Sequence, residues 1–161
     1  MPIGEWLHAL EQTRIGDAVR EWAFPYVEGT HVLALSLSVG TLAWFDLRLL
    51  GAAMRSRSVT DVFESIRGWM FAGFGLMFVT GALLFTAHAT KAYHNTYFRA
   101  KVVLLLLSGL NALAFHLTID RHRADWNDAP VPPVAARLAG GLSLMLWLSV
   151  IAAGRIFAYD L

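Results

Sequence analysis

The sequence predicts an all-α integral membrane protein: a four-helix bundle preceded by a short N-terminal amphipathic helix lying in the membrane interface. Three observations lead there. Four runs free of Asp, Glu, Lys and Arg, at 29–45, 68–90, 102–119 and 138–154, each approach the length of a bilayer crossing, for which a helix needs roughly 20 apolar residues at about 1.5 Å per residue. The 161-residue chain is 57% hydrophobic and 16% charged, with a mean hydropathy of +0.51, whereas soluble domains carry about 25% charged residues. The runs are continuous and lack period-two alternation, which excludes a transmembrane barrel and leaves helices as the elements that satisfy their own backbone in lipid.

Taken in order, Ile3, Trp6, Leu7 and Leu10 share one helical face while Glu5, His8, Glu11 and Gln12 lie elsewhere, the pattern of a short interfacial helix. Gly16 and Pro25 are expected to interrupt the chain after it, and Trp22, Phe24 and Tyr26 form an aromatic belt leading into the first crossing. Four crossings follow at about 29–48, 68–90, 101–119 and 134–156. Connections 46–67 and 120–137 lie on one side and the segment after His88 on the other, with Pro133 placed to start the last helix. One domain, 1–161, uses nearly the whole chain. A net charge of +1 argues against nucleic acid as a partner, and the absence of Cys excludes disulfides, iron–sulfur clusters and thiolate metal sites. The first twenty residues mix acids and bases without an apolar core, so they do not read as a cleaved signal, and the first crossing is expected to direct insertion.

Alternation of the crossings fixes which groups share a leaflet. We call the side holding both chain termini the first side. His31 near the start of the first crossing, His88 near the end of the second, and His94 just beyond it belong to that side; His116 and His122 belong to the second side. At 1.5 Å per residue, His116 is expected roughly 15–20 Å from His31 along the bundle axis. Imidazoles at membrane depth are costly without a partner. A pair of neutral imidazoles from facing helices is the axial set of b-type haem, whose apolar disc substitutes for side-chain packing. His31 and His88 have the sidedness for such a pair, with His94 as a substitute for His88. Lys101 and Arg155, with Lys91 and Arg99, are expected to meet haem propionates. Gly81 precedes His88 by two turns, and Gly109 stands in the same relation to His116. On this reading His31, His88 and His116 are the candidate metal ligands, and no catalytic residue is assigned. Helix packing also explains the glycines, and a structural hydrogen bond also explains each histidine.

On the second side Asp46 and Arg48, in WFDLRLLG, fall near the depth of His116, and Asn111 projects from the middle of the third crossing. They are expected to form a polar cluster in which Asp46 contacts Arg48 or His116, a carboxylate orienting an imidazole. His116 then marks a second site or a hydrogen bond to a quinone.

The strings FPYVEGTHVLALSLSVGTLAWFDLRLLG and YFRAKVVLLLLSGLNALAFH resemble a family of small bacterial four-helix membrane proteins of unassigned function. The similarity runs from about Trp22 to the fourth crossing, with His31, Asp46, Arg48, Gly51, Lys101, Asn111 and His116 at its motif positions. The layout is more loosely similar to copper-resistance D-type membrane proteins and to four-helix b-type cytochromes, including small superoxide:quinone oxidoreductases, in which His pairs stack two haems across the membrane. This chain departs from the cytochrome pattern in having no His in its fourth crossing. His88 lies outside the family motif.

The functional expectation is a haem b protein of the bacterial inner membrane that passes electrons between a quinone and a partner redox protein, as an oxidoreductase or an electron-transfer subunit. The alternatives are a cofactor-free membrane subunit, acting through a partner or a second copy of itself, and a copper or proton carrier using His31, His116 and Asp46. The second side carries Arg48, Arg55, Arg57, Arg67, Arg121, Arg123 and Arg137. The first carries Arg14, Arg20, Lys91, Arg99, Lys101 and Arg155. The excess of one places the second side in the cytoplasm and both termini on the outer face.

Overall fold

The structure, a computed structural model, describes residues 3–159, which are helical with no strand among them. A short amphipathic helix, α1 (Ile3–Glu11), leads to α2 (Arg14–Ala18), which Thr13 caps by accepting from the Gly16 amide at 3.1 Å. The chain then continues through a π turn, Val19–Ala23, directly into α3 (Phe24–Leu49). The expected interruption at Gly16 and Pro25 therefore does not occur, and helix runs unbroken from Arg14 to Leu49. Proline lacks a donor and its ring displaces a carbonyl one turn back. The wider π turn just ahead of Pro25 accommodates both demands without a break.

Helix α4 (Val59–Ala87) begins at Ser58, whose Oγ accepts from the Asp61 amide at 3.0 Å. It ends at His88, where the backbone leaves helical geometry, and α5 (Ala89–His94) follows. Helix α6 (Thr96–Ala114) is capped by Asn95, whose side-chain oxygen accepts from Tyr97 and Phe98. It widens into a π turn at Phe115–Ile119 and tightens into a 3-10 segment at Asp120–Asp125. Helix α7 (Val134–Tyr159) starts directly after Pro133. The four segments Arg14–Leu49, Val59–Ala87, Thr96–Asp125 and Val134–Tyr159 are long and apolar enough to cross a membrane.

Helix α3 is the axis of the bundle. It packs against α4 and against α7, while α6 packs on α7. The α3–α4 crossing is close because residue 73 is glycine: a Cβ there would lie 2.8 Å from the Ser38 amide nitrogen. The α3–α7 crossing depends on Gly140 in the same way, with Asp46 O at 3.0 Å from the position a Cβ would take. Small residues at such points let backbones approach where lipid supplies no hydrophobic drive. The α4 and α6 backbones do not pack on one another. Their side chains meet near the first side, where Phe85 stacks on Phe98 and Phe98 leans on Phe157. Deeper, Ala34, Met77, Trp147 and Val150 form an apolar layer across the bundle.

At the second-side end, α3 closes in a Schellman turn. Gly51, at φ +69°, donates to Arg48 O at 3.0 Å and Ala52 donates to Leu47 O at 3.0 Å, a left-handed position suited to glycine. Arg48 is fully buried and donates to Arg57 O and Ala129 O, both at 2.9 Å. Val59 N and Thr60 N donate to Asn127 O and Oδ1, at 2.9 Å each. These bonds hold the α3–α4 and α6–α7 connections together at one end. At the other end Leu7 of α1 is buried, and α1 lies against α5. Ile3 and Trp6 remain exposed, as expected of an interfacial face.

Cysteines at Ser56 and Asp125 should therefore react with a membrane-impermeant maleimide from the same side of sealed vesicles, and one at His94 from the opposite side. Reaction of all three from one side would overturn the four-crossing topology.

A lateral cavity and two separated histidine seats

Between α4 and α6, on the second-side half of the bundle, lies a cavity of about 390 Å³. Phe71, Phe74 and Phe78 of α4, Leu105 and Ala112 of α6, Leu42 of α3 and Trp147 of α7 make its wall mostly apolar. It exists because α4 and α6 diverge below the Phe85–Phe98 stack, while α3 and α7 supply its floor. Its polar groups come from three helices. Asp46 is 3% exposed and lines the floor; it hydrogen-bonds Ser143, and its Oδ2 has no partner. Asn111 Nδ2 donates to Ala139 O at 3.1 Å, tying α6 to α7.

The second-side end of the cavity is built by the π turn. His116 Nδ1 lies 3.1 Å from Asp120 Oδ2, and Asp120 Oδ1 accepts from Arg123 Nε at 2.5 Å. Arg123 also places its guanidinium 5.3 Å from the centre of the Phe63 ring on α4, closing that end across the seam. A carboxylate on Nδ1 fixes the ring and its tautomer, so Nε2 keeps a lone pair. The His116 side chain is largely exposed at the mouth, while Asp120 is mostly covered.

The expected second-side cluster is thus partly assembled. Asp46, Asn111 and His116 border one cavity, but Asp46 pairs with Ser143 rather than with Arg48 or His116. Arg48 gives Nε and Nη2 to the loop carbonyls, its Nη1 having no partner, and His116 finds Asp120. The reason is geometric: Asp120 follows His116 by four residues on the same helical segment and reaches it first. Sequence reasoning placed Asp120 and Arg123 in a loop, although the i, i+4 and i, i+3 spacings in HLTIDRHR carried the signal.

On the first side, His31 Nδ1 lies 2.9 Å from Thr80 Oγ1. Thr80 donates its own proton to Leu76 O at 2.7 Å, so His31 is the donor to Thr80 and its Nε2 keeps the lone pair. Its ring rests on Gly81, where a Cβ would stand 3.2 Å from Cε1. His88 sits elsewhere on the seam, with its ring edge-on to Phe24 at 5.5 Å and Nδ1 buried without a partner. Phe24 precedes His31, and Gly81 precedes His88, by two turns, so antiparallel register places the two rings about 10 Å apart along the helices. The expected His31–His88 pair does not face across a common gap, and where Gly73 meets Ser38 the α3–α4 seam is too close for a disc. His94 is exposed and packs edge-on to Tyr93 at 5.3 Å. His122 Nδ1 lies 3.1 Å from Thr118 O. Lys101 reaches the gap left by Gly154, 3.3 Å from the position of its absent Cβ, and is an electrostatic neighbour of His31. Arg155 turns away to Tyr159, donating to its hydroxyl at 3.1 Å. No cluster of three or more His, Cys, Asp and Glu suited to a metal ion occurs among the described residues.

A profile of a family of unknown function, DUF6644, matches residues 5–160. The chain belongs to that family. No curated protein and no solved structure matches it. In this DUF6644 member the resemblance read from the sequence is therefore confirmed at the level of a family without an assigned activity.

His88 lies beyond the last residue of α4, under the N-terminal segment. Burial, and then the charge of Arg20, hold its imidazole below the ordinary value of 6.5; Glu11 pulls the other way and Lys91 adds to the lowering. A histidine held neutral in the folded state contributes stability above its unfolded pKa, and that contribution is lost as pH falls toward the folded one. Thermal stability should therefore drop from about pH 7.5 to about pH 5.5, and His88→Gln should flatten part of that drop. An unchanged pH profile in the variant would show that His88 is not the group responsible.

Proposed function

We propose that the protein binds a quinone-class lipid in the α4–α6 cavity and exchanges electrons and protons with it, in a bacterial inner membrane with the cavity on the cytoplasmic half. The observation that carries this reading is the cavity's composition: an apolar slot at membrane depth with an unpartnered carboxylate oxygen, Asp46 Oδ2, in its floor and a held imidazole, His116, at its mouth. A planar ring with an oxygen at each end and an apolar tail matches that distribution. His116 Nε2, with Nδ1 committed to Asp120, accepts the O–H of a quinol; Asp46 meets the oxygen at the inner end. Arg123 holds Asp120 in place and keeps the imidazole oriented. The electron partner is a second redox centre or a partner redox protein. Orientation with both termini outward follows the one-residue Lys/Arg excess on the second side.

Binding of decylubiquinone to detergent-purified protein tests this. His116→Ala and Asp46→Leu should each weaken binding roughly tenfold, the value of about one hydrogen bond in a dry site, while His122→Ala should leave it unchanged. Equal binding of decane-chain lipids without the ring, or unchanged affinity in both variants, would overturn the assignment.

A second reading, haem b, is favoured by one observation: the Thr80 bond leaves His31 Nε2 available at membrane depth, the posture of an axial ligand. The fit is of one axial bond, since His88 faces Phe24. Haem would supply a one-electron carrier on the first side, with Lys101 as the nearest cation for a propionate. Protein purified from haem-sufficient cells should then show a Soret band that His31→Ala abolishes and His88→Ala leaves intact. A colourless preparation would remove this reading without touching the cavity.

A further inference from the structure

Lys101 occupies a position that nothing in the cavity explains. It lies on α6 one turn inside Phe98, and its Nζ fills the gap left by Gly154 on α7. The rings of Phe85, Phe98 and Phe157 stand over it on the first side, drawn from α4, α6 and α7. Beneath it, Leu104 and Leu105 belong to the apolar layer around Met77 and Trp147. Across the bundle is His31, itself fixed by Thr80. All four long helices thus contribute to the surroundings of one half-buried amine, and no carboxylate pairs with Lys101 among the described residues.

An ammonium under an aromatic lid has three donors and, among the described residues, no counter-ion, and a cation placed at membrane depth is stabilised chiefly by pairing. Neither a metal ion nor a cationic ligand suits that charge. We propose that Lys101, with His31 across the bundle from it, is the seat of a carboxylate carried by a bilayer-soluble molecule. The carboxylate meets Nζ, and the apolar remainder leaves toward lipid between α4 and α6. Gly154 provides the depth for the amine, and the phenylalanine rings screen the ion pair from headgroup water. Two sources share this chemistry, a free fatty acid and the propionate of a porphyrin. The proposal is independent of the quinone reading, because the apolar layer separates this seat from the cavity.

The test uses the full chain in a non-ionic detergent and two matched pairs of probes: oleate against oleyl alcohol, and haemin against its dimethyl ester. In at least one pair the acid should bind the wild type roughly tenfold or more tightly than its neutral partner, the scale of one charge-assisted hydrogen bond. Lys101→Met should erase that preference, Lys101→Arg should keep part of it, and Gly154→Ala, by crowding Nζ, should weaken it. Arg14→Gln, an exposed cation of the first side, serves as the control for surface charge and should leave it intact. A preference confined to the oleate pair identifies a fatty acid, and one confined to the haemin pair identifies a propionate. Absence of preference in both pairs for the wild type, or preference persisting in Lys101→Met, overturns the proposal, and the wild-type arm decides even if the variant does not fold. Decylubiquinone binding measured in parallel should be unaffected by Lys101→Met, which separates failure here from failure at the cavity.

Discussion

The architecture depends on how closely α3 is held. Gly73 on α4 and Gly140 on α7 bring two backbones onto α3 at distances that a single methyl group would violate. In lipid, where apolar association has no solvent drive, such close crossings supply dispersion and exclude lipid chains. Because α3 is committed on both sides, α6 packs chiefly on α7 and the α4–α6 seam stays open below its aromatic contact. The cavity therefore follows from where these two glycines fall, and Gly109, a lining residue without a side chain, adds to its room. A methyl at either crossing would push α3 outward and shift Asp46 and Ser38 with it.

The polar atoms inside the bundle follow a consistent rule. Hydroxyls of Ser38, Thr41, Thr80 and Ser108 return their protons to carbonyls of their own helices, which silences them as free donors. Arg48 donates through Nε and Nη2 to carbonyls at the loop end. Against that background, the groups left with open valences include Asp46 Oδ2 in the cavity floor, Arg48 Nη1, His88 Nδ1, Thr90 Oγ1, the second ring nitrogens of His31 and His116, and Lys101. Each histidine is anchored through Nδ1, one to a hydroxyl and one to a carboxylate, so both present the same remaining atom. That asymmetry between silenced and open groups is the physical basis for reading function into this bundle.

Much of this was legible in the sequence, and the rest failed for identifiable reasons. Four uncharged runs predict four crossings because bilayer thickness sets a length that no other constraint imitates. The amphipathic start is equally readable, and Leu7 is the residue it buries. Pro25 misleads because a proline is read as a break, whereas a π turn ahead of it absorbs the strain. Sidedness puts His31 and His88 in one leaflet, but sidedness resolves a leaflet and not a helical turn. Register along the α3–α4 seam is set by Gly73 against Ser38, a contact between residues with no sequence mark of their own. Asp46 and His116 share a cavity without touching, since depth alone does not give azimuth. Thr80 and Ser143, which hold His31 and Asp46, are ordinary small polar residues of membrane helices and carry no signal until the helices are packed.

The separation of the two polar regions constrains any chemistry the protein performs. Ala34, Met77, Trp147 and Val150 fill the bundle between Lys101 and the cavity, and Phe74 leans on Trp147 at 5.2 Å to complete the layer. The buried Ser38 hydroxyl lies 4.0 Å from Met77 Sδ and returns its proton to Ala34 O, as Thr80 does to Leu76 O. His116 and Asp46 belong to the second-side half, at the mouth that Asp120 and Arg123 shape, while His31 and Lys101 belong to the first. A bundle arranged this way keeps the polar groups of one leaflet apart from those of the other, and any coupling between the two must travel as charge or as helix displacement through the packed layer.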